Sequence, residues 1–565
     1  MRHPFAAMAA VLTALALAMG GAASLFIDDA SASELRPFSS EAEMFSFLNS
    51  HRSGSIFDGL FGHDTAAMES ASGDRSGTNV QVAGVDEGDM VKTDGRYIYI
   101  SDGLSVHVVR AAPDALQNVS IIEAVDGWHI SALYLEGDTL IVVRYHSLFY
   151  AMGAAYSAML PSEESTALFA YNVSDPSRPV LEHQAGASGW CAGSRMVDGT
   201  VYAVVQKSIW ANGGISLPAV TDGGDSTMID ATEIMHDPSV KEASSFISLL
   251  AFDAASGESS CLTVAAPVSS VMYMSPSSLY LTMPDFSRTD VQGAGTTIYR
   301  LDVDGPSVTL AAKGSVDGYV MSQFSMDEDG GHLRVASSSG WSAPSTAVTV
   351  LDAGLSEVGK LTGIAPGETL YSCRFINDRL YLVTAIQVDP LFVIDLSDPT
   401  APALRGELKV PGISTYLQMT EHGLLGIGAE NGTLKVSLFG VADDVPTEID
   451  TYRFVGYAYS EGQWDHHAVL WDDRYDMLSL PVQQWSGSLA PMSSLAVLSV
   501  GEDGIRFMGG IEHPDTVQRA LYIGGDLYSI STTMVKVSSL PDLSEEGSLV
   551  YRTASDAYGW HGAAR

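Results

Sequence analysis

Residues 377–399 read NDRLYLVTAIQVDPLFVIDLSDP, and this stretch contains the structural unit from which the fold is built. The turn residues Asn377 and Asp378 precede the apolar run LYLV from Leu380, and a second apolar run, LFVID, begins at Leu391 after a short gap. Asn and Asp favour turns because their side chains can close hydrogen bonds onto the nearby backbone. Two apolar runs of strand length beside such a turn predict a pair of antiparallel β-strands.

The same unit recurs along the chain after about residue 78. Nine first strands can be recognised, and the spacings between their starts are 43, 61, 78, 54, 47, 44, 53 and 50 residues. The shortest spacings match the roughly 40–50 residues of a four-stranded propeller blade. The first strands begin at Tyr97, Leu140, Val201, Leu279, Leu333, Leu380, Leu424, Met477 and Leu527.

This periodicity predicts an all-β protein with a single large β-propeller of four-stranded blades over residues 79–551. Eight blades is the best estimate within a range of seven to nine, because the first and last units can share a ring-closing blade. The two longest spacings predict insertions at 147–166 and 207–245, which we expect on one rim. Few stretches have a helical period of 3.6 residues, which argues against α/β barrels and helical solenoids.

The composition is that of an acidic globular protein. In 565 residues, 29 basic against 68 acidic side chains give a net charge of −39, while 46% of residues are hydrophobic and can form a large core. The acid excess argues against nucleic acid as a partner, because non-specific affinity for phosphate backbones depends on Lys and Arg. We interpret the dispersed acidity as favouring solubility, with capture of divalent cations as the alternative.

The amino terminus predicts export. Arg2 and His3 precede an uncharged stretch from Pro4 to Ile27, and the small-residue run Ala30-Ser31-Ala32 resembles a cleavage site. Residues 1–32 are therefore interpreted as a signal peptide, followed by a linker with a short helical lead-in at 33–78 and, after the propeller, a C-terminal tail at 552–565. The alternative is an uncleaved membrane anchor, since about 20 apolar residues span a bilayer. Either way we expect a secreted or cell-surface protein, in contact with a membrane only through this segment.

Few motifs of known chemistry occur in the chain. Its three cysteines, Cys191, Cys261 and Cys373, allow at most one intramolecular disulfide, and no C-x-x-C spacing exists. Neither H-E-x-x-H nor G-x-S-x-G is found, so zincin and α/β-hydrolase chemistry have no support. The sequence offers no catalytic residue that can be named.

Four longer stretches carry a family resemblance: NVQVAGVDEGDMVKTDGRYIYI from Asn79, YVMSQFSMDEDGGHLRVAS from Tyr319, GIAPGETLYSCRFINDRLYLVTAIQVDPLFVIDLSDPTAPALRGELKVPGISTYL from Gly363, and RALYIGGDLYSIS from Arg519. On these stretches the chain resembles secreted proteins of archaea and bacteria that carry a C-terminal β-propeller domain distantly related to WD-40 repeats. The segment LRPFSSEAEMFSFLNSH from Leu35 is similar to the short helical lead-in of that family. The resemblance implies a fold and a location, and it carries over no active-site residues.

The first of these stretches contains a candidate calcium site. Asp86, Glu87, Asp89 and Asp94 lie within nine residues, so a loop could direct several of their oxygens at one Ca²⁺ ion. The alternative, which we favour, is that these carboxylates close turns and line a solvated rim at the ends of strands. Apart from this Ca²⁺ ion, the sequence predicts no cofactor.

Two further clusters are candidates for a channel or rim site. Asp465, His466 and His467 form the densest histidine cluster, in which the carboxylate could orient an imidazole as a base or a ligand. The favoured interpretation is structural, with one histidine directed inward. Asp327 and Glu328 are interpreted as the acidic tip of a β-hairpin.

The sequence therefore favours a non-catalytic binding or scaffold module, whose partner is a protein or a glycan of the cell envelope. The alternative is an extracellular hydrolase or lyase, with or without Ca²⁺, that works in the propeller channel and uses Asp86, Asp89, Asp327 and His466. These carboxylates would form a catalytic pair only if they converge in space with opposed pKa shifts.

Overall fold

The computed structural model describes residues 35–51, 75–146, 164–211, 214–285, 295–339, 344–385, 389–485, 487, 491–540 and 542–553. The described chain is a β-propeller, which confirms the predicted all-β class and the four-stranded blades. The export segment at 1–32 lies outside these residues. No helix in the ranges given above is long and apolar enough to cross a membrane.

The first three blades differ in the extra strands they carry, but each has a core of four antiparallel strands in chain order. Their core strands are Val91–Thr93, Tyr97–Ser101, Val106–Arg110 and Gln117–Ile122 in blade 1; Trp128–Glu136, Thr139–His146, Ser165–Asn172 and Val180–Ser188 in blade 2; and Trp190–Val197, Thr200–Ser208, Ser245–Asp253 and Ser259–Ala266 in blade 3.

The middle blades are plain four-stranded sheets. Their strands are Val271–Met274, Ser278–Asp285, Gly295–Asp304 and Ser307–Asp317 in blade 4; Met326–Asp329, His332–Ser338, Thr346–Leu351 and Glu357–Ile364 in blade 5; and Thr369–Ile376, Arg379–Ala385, Asp389–Asp395 and Ala403–Val410 in blade 6. The turn at Asn377 and Asp378 joins the first two strands of blade 6. Asn377 has φ 52°, the left-handed conformation that Asn tolerates in a turn.

The last three blades repeat this plan, with a short additional strand, Leu470–Asp472, in blade 8. Their strands are Ile413–Thr420, Gly423–Glu430, Thr433–Gly440 and Thr447–Arg453 in blade 7; Tyr457–Ser460, Met477–Trp485, Met492–Gly501 and Gly504–His513 in blade 8; and Val517–Ile523, Asp526–Ser531, Met534–Ser539 and Glu545–Val550 in blade 9.

Nine sheets of at least four strands thus follow one another through the described residues, at the upper end of the predicted range and one above the best estimate of eight. The first and last units each form a complete sheet, so they share no ring-closing blade. Instead they pack face to face, with Ile98 and Val109 of blade 1 in one core cluster with Tyr528 and Val537 of blade 9. Apolar side chains on both faces of each blade are buried in this way.

The insertion at 207–245 lies along the outer edges of blades 2 and 3. Its strands Ala219–Asp222 and Asp225–Met228 extend the fourth strand of blade 2, and Met235–His236 pairs with the fourth strand of blade 3. The insertion also contains the pair Trp210–Ala211 and Gly214–Ile215. Of the other insertion, predicted at 147–166, residues 147–163 lie outside the described residues.

The lead-in to the propeller contains one helix, Glu41–Ser50, and a short strand, Arg36–Pro37. The hydroxyl of Ser40 caps the helix by accepting a hydrogen bond from the Glu43 N–H. Met44 and Leu48, one turn apart on the same face, are buried against Ile234 of the insertion. The insertion therefore serves as the docking platform for the helix.

Residues 75–90, which we call the central segment, cross the middle of the ring before the chain enters blade 1. Arg75 bridges to Ile523 of blade 9, the Asn79 amide donates to the His466 carbonyl of blade 8, and Gln81 donates to carbonyls at the start of blade 5. The segment then pairs with the innermost strands of blades 3 and 2. The centre of the propeller is thus occupied by the chain itself.

Five short 3-10 helices complete the described elements, and two of them follow the inner strand of blade 8. They are Pro113–Ala115, Ala231–Glu233, Gln323–Ser325, Glu461–Gln463 and His466–Ala468. The three cysteines form no disulfide, and the buried thiol of Cys373 donates to the Phe324 carbonyl.

Candidate functional site

The structure places the four acidic residues of the predicted calcium site, three in the central segment and Asp94 in the first turn of blade 1, in four different places. The Asp86 carboxylate accepts two hydrogen bonds from Lys92 Nζ at 2.8 and 2.9 Å, and Asp94 accepts from the backbone N–H groups of Arg96 and Tyr97, closing a turn. Glu87 and Asp89 are directed into the middle of the ring, towards different partners. The predicted calcium ligands therefore do not share one focus in this structure.

Asp89 belongs to a buried ion network with Arg519 and Asp465. Arg519 Nε lies 2.9 Å from Asp89 Oδ1, and Arg519 Nη2 lies 2.5 Å from Asp465 Oδ2. Burial alone would lower the pKa of Arg519, but the two carboxylates outweigh it and raise that pKa. Burial raises the pKa of Asp465, but the Arg519 charge and the hydrogen bond with His467 together lower it overall, so this carboxyl stays ionised.

Glu87 is the point at which several inner elements meet. Its Oε1 accepts from the Gln81 N–H at 2.8 Å, and its Oε2 accepts from Gln323 Nε2 at 3.3 Å. Arg195 Nη2 lies 3.5 Å from the same Oε2. The Glu87 side chain is only 3% exposed, so its carboxylate contacts neighbouring protein groups and is shielded from bulk solvent.

His466 and His467 lie in the 3-10 helix that follows the inner strand of blade 8, and both imidazoles are close to the Glu87 carboxylate. Asp465 caps this helix by accepting from the His467 N–H, and its Oδ1 is also 3.0 Å from His467 Nδ1. His466 is fully buried, and neither of its ring nitrogens has a hydrogen-bond partner in the described structure. Burial, reinforced by the adjacent His467, lowers the pKa of His466 well below its usual range and keeps the imidazole neutral.

Asp327 and Glu328 lie in the hairpin of blade 5 that the sequence predicted. Asp327 is paired with Arg334, and Glu328 Oε2 accepts from the hydroxyls of Ser275 and Tyr280 in blade 4. Burial raises the pKa of the Asp327 carboxyl, in opposition to Arg334. Glu328 therefore joins blade 5 to blade 4, whereas the Asp327 pair lies within the hairpin itself.

A cavity of about 220 Å³ opens beside the centre. Its lining includes Asp86, Asp89, Lys92, His467 and Arg519. His467 is 12% exposed through its side chain, in contrast to the fully buried His466. The cavity thus gives small solutes a route to the histidine pair.

A second surface, which we call the aromatic row, lies on blade 8 and consists of Tyr457, Trp485, Tyr459 and Trp464. The Tyr459 ring stacks on both tryptophans at 5.6 Å between ring centroids and 30° between planes. Tyr457 meets Trp485 edge-on at 5.4 Å. Tyr457 and Trp464 are 58% and 45% exposed, so the row presents aromatic surface to solvent.

The aromatic row ends beside a groove of about 480 Å³. The groove lies between residues 409–413 and 429–432, and the Tyr457 ring borders it at Gly432. Lys409, Glu430 and Asn431 supply polar groups along it. A groove of this size can hold a small ligand or one unit of a longer one.

The sequence indicates the histidine cluster but neither the residues that surround it nor the aromatic row. Arg519 begins a family-like stretch but lies in no charged cluster of the sequence, and Arg195 carries no local signal. The alternation of Tyr457 and Tyr459 was visible, yet the tryptophan that stacks between them comes from the next long strand of blade 8. Only the folded sheet joins these rings.

Comparison with known proteins agrees with the fold. A family model described as a beta propeller domain matches residues 75–543. An uncharacterised protein of Methanocaldococcus jannaschii is 28% identical over 551 residues, covering 82% of this chain and 81% of the relative. An uncharacterised protein of Archaeoglobus fulgidus is 28% identical over 539 residues, covering 82% of each chain. Among solved structures, the C-terminal WD40 domain of Sif2 is 10% identical, covers 74% of this chain and 99% of that domain, and gives a TM-score of 0.38.

Proposed function

The chain belongs to the beta propeller domain family. We propose that it is an exported, non-catalytic binding module that holds a glycan of the cell envelope on the aromatic row. The exposure of the row is the observation that carries the proposal. Large aromatic side chains are usually buried, and a contiguous exposed group of them marks an interaction site.

Sugar rings are suited to such a surface. Their C–H faces pack on aromatic faces, while polar side chains at the rim bind the hydroxyl groups. Here the neighbouring groove supplies Lys409 and Asn431 as polar groups. A glycan that crosses the row at Tyr457 would enter this groove, which supports an extended ligand over a single sugar.

The contents of the channel support a binding module over a hydrolase or lyase. The carboxylates considered for catalysis are paired with cations: Asp86 with Lys92, Asp89 with Arg519 and Asp327 with Arg334. These ion pairs occupy the carboxylate oxygens that a catalytic acid or base would have to present to a substrate. The central segment also fills the space in which a polymeric substrate would have to lie. The export component of the proposal rests on the signal-like residues 1–32.

The test is binding of the purified chain to isolated cell envelopes and to a panel of immobilised glycans. We expect Trp464→Ala and Tyr457→Ala to lower the affinity about fivefold to tenfold each. Each change removes an exposed aromatic ring whose stacking contributes roughly 1 kcal/mol to the binding free energy. Matched controls are Trp190→Ala and Tyr371→Ala, whose side chains are 42% and 44% exposed elsewhere on the ring. These should bind as the parent chain does.

Equal binding by the row variants and the controls would overturn the proposal. So would capture of the chain by envelope proteins after complete removal of glycans. Release of reducing sugar from a bound glycan, lost on Asp327→Asn, would favour the enzyme instead.

A further inference from the structure

We propose that Glu87, His466 and His467 bind one divalent transition-metal ion at the centre of the ring. Among the residues whose placement the structure gives, these three side chains bring one carboxylate oxygen and two imidazole nitrogens within 4.8 Å of one another. The inference does not depend on the aromatic row or on any glycan.

The distances fit atoms that share a metal better than atoms that share a proton. Nε2 of His466 lies 3.7 Å from Glu87 Oε2, and Nε2 of His467 lies 3.8 Å from the same oxygen. Both separations are too long for hydrogen bonds. Ligands about 2.1 Å from a tetrahedral zinc ion lie roughly 3.4 Å from each other, so small side-chain movements would complete the site.

Both imidazoles have ring nitrogens that make no hydrogen bond and are available as metal ligands. His466 is fully buried, yet neither Nδ1 nor Nε2 has a hydrogen-bond partner. Buried polar atoms are nearly always paired, so such a nitrogen calls for an explanation. A metal ion at Nε2 would provide one.

Asp465 positions His467 for the same purpose. With Asp465 Oδ1 3.0 Å from His467 Nδ1, the ring proton is assigned to Nδ1, which leaves the lone pair of Nε2 directed at Glu87. This carboxylate–histidine arrangement is the usual support of a metal-binding imidazole. Asp465 is thus a positioning residue, itself held by Arg519.

The local backbone explains how two consecutive histidines can serve one ion. In a strand, neighbouring side chains would point to opposite faces. In the 3-10 helix His466–Ala468 the two imidazole rings instead lie side by side, with centroids 3.5 Å apart. The opening beside His467 provides an entry path from the cavity.

The ligand set selects the class of ion. Two imidazoles and one carboxylate suit Zn²⁺, Fe²⁺ or Co²⁺, whereas Ca²⁺ prefers oxygen ligands only. Gln323, whose Oε1 has no hydrogen-bond partner, lies next to Glu87 and could supply a neutral oxygen as a further ligand after an amide flip. The incoming ion would replace the contact between Arg195 and Glu87 Oε2.

The experiment uses the full chain after treatment with a chelator. Titration with Co²⁺ should give one ion per chain with visible ligand-field bands, and elemental analysis after dialysis against Zn²⁺ should give one zinc. Thermal unfolding of the unmodified chain should shift upward with Zn²⁺ or Co²⁺ and remain unchanged with Ca²⁺. This last measurement requires no variant and so does not depend on whether a variant folds.

Glu87→Gln and His467→Gln should each weaken Co²⁺ binding by at least about tenfold, as loss of a ligand or its support commonly does. The control is His422→Gln, which alters a similarly shielded histidine that faces Asp476, with 17% of its side chain exposed against 12% for His467. Circular dichroism establishes that each variant is folded. Failure of the parent chain to bind Co²⁺ or Zn²⁺, or unchanged affinity in both folded variants, would overturn the proposal.

Discussion

The guanidinium of Arg519 lies 2.9 Å from the carboxylate of Asp89, a residue 430 positions earlier in the chain. This buried contact joins the innermost strand of blade 9 to the central segment just before that segment enters blade 1. It links the first and last parts of the propeller at the middle of the ring. Apolar side chains also link blades 1 and 9 where their two sheets pack together.

Replacing Arg519 with Met should lower the free energy of unfolding by about 3–5 kcal/mol, because Asp89 and Asp465 would remain buried without their cation. Arg405→Met is the control, since its pair with Asp395 leaves the arginine side chain 45% exposed and should contribute less than about 1 kcal/mol. Urea unfolding of both variants measures the difference. Similar losses in the two variants would contradict the importance assigned to the buried pair.

Acid should destabilise the propeller through His513 of blade 8. Burial, together with the nearby Lys536, lowers the pKa of His513 to about 4 in the folded chain, against the opposing charges of Asp515 and Glu545. The unfolded chain binds the proton at its ordinary pKa of about 6.5, so stability is retained above that pH and falls between about 6.5 and 4. The loss attributable to this group approaches roughly 3 kcal/mol.

Unfolding measurements at pH 7 and pH 4.5 test this expectation, with His513→Asn as the comparison. In that variant the stability should fall less over the same interval. An equal fall in parent and variant would assign the acid sensitivity to other groups.

Gly428 of blade 7 should not tolerate a side chain. A Cβ at this position would lie 1.7 Å from the carbonyl oxygen of Ile413 on the adjacent strand, so the two strands would have to separate. Gly428→Ala should therefore cost about 1–3 kcal/mol. Gly501→Ala, where no atom lies within 4 Å of the new Cβ, is the matched control and should be close to neutral in the same thermal unfolding assay.

Export predicts a processed amino terminus. Mass spectrometry of the chain from its natural source should find a mature terminus near residue 33, since Ala30-Ser31-Ala32 resembles a cleavage site. An intact Met1 in the membrane fraction would support the anchor instead. Recovery of the full chain from the soluble cytoplasm would contradict both.

The blades could be predicted because each one has the same local sequence pattern. Both faces of a strand such as Tyr97–Ser101 are buried, which produces an apolar run, and the turns between strands require Asn, Asp or Gly. The separate first and last blades could not be distinguished from a shared one, because ring closure depends on packing between distant segments. For this reason the sequence did not distinguish the nine blades of the structure from the eight of the best estimate.

The centre could be predicted only in part. The sequence indicates Asp465, His466 and His467 because they are adjacent, and Glu87 because it lies among other acidic residues. That Glu87 meets the histidines, and that Arg519 meets Asp89, depends on how far the ring curves before it closes. Local spacing carries no record of that curvature, and the same holds for the joining of Trp485 with Tyr459.

The path of the central segment has a consequence for how the molecule unfolds. In a repeat protein each unit contacts only its neighbours, so stability is a sum of local terms and the ends can fray independently. Residues 75–90 add contacts that skip over several units at once, from blade 9 to blade 8, the start of blade 5, and blades 3 and 2. Detaching any one of those units disturbs a strand that the others also hold, so the nine sheets should melt as one cooperative body.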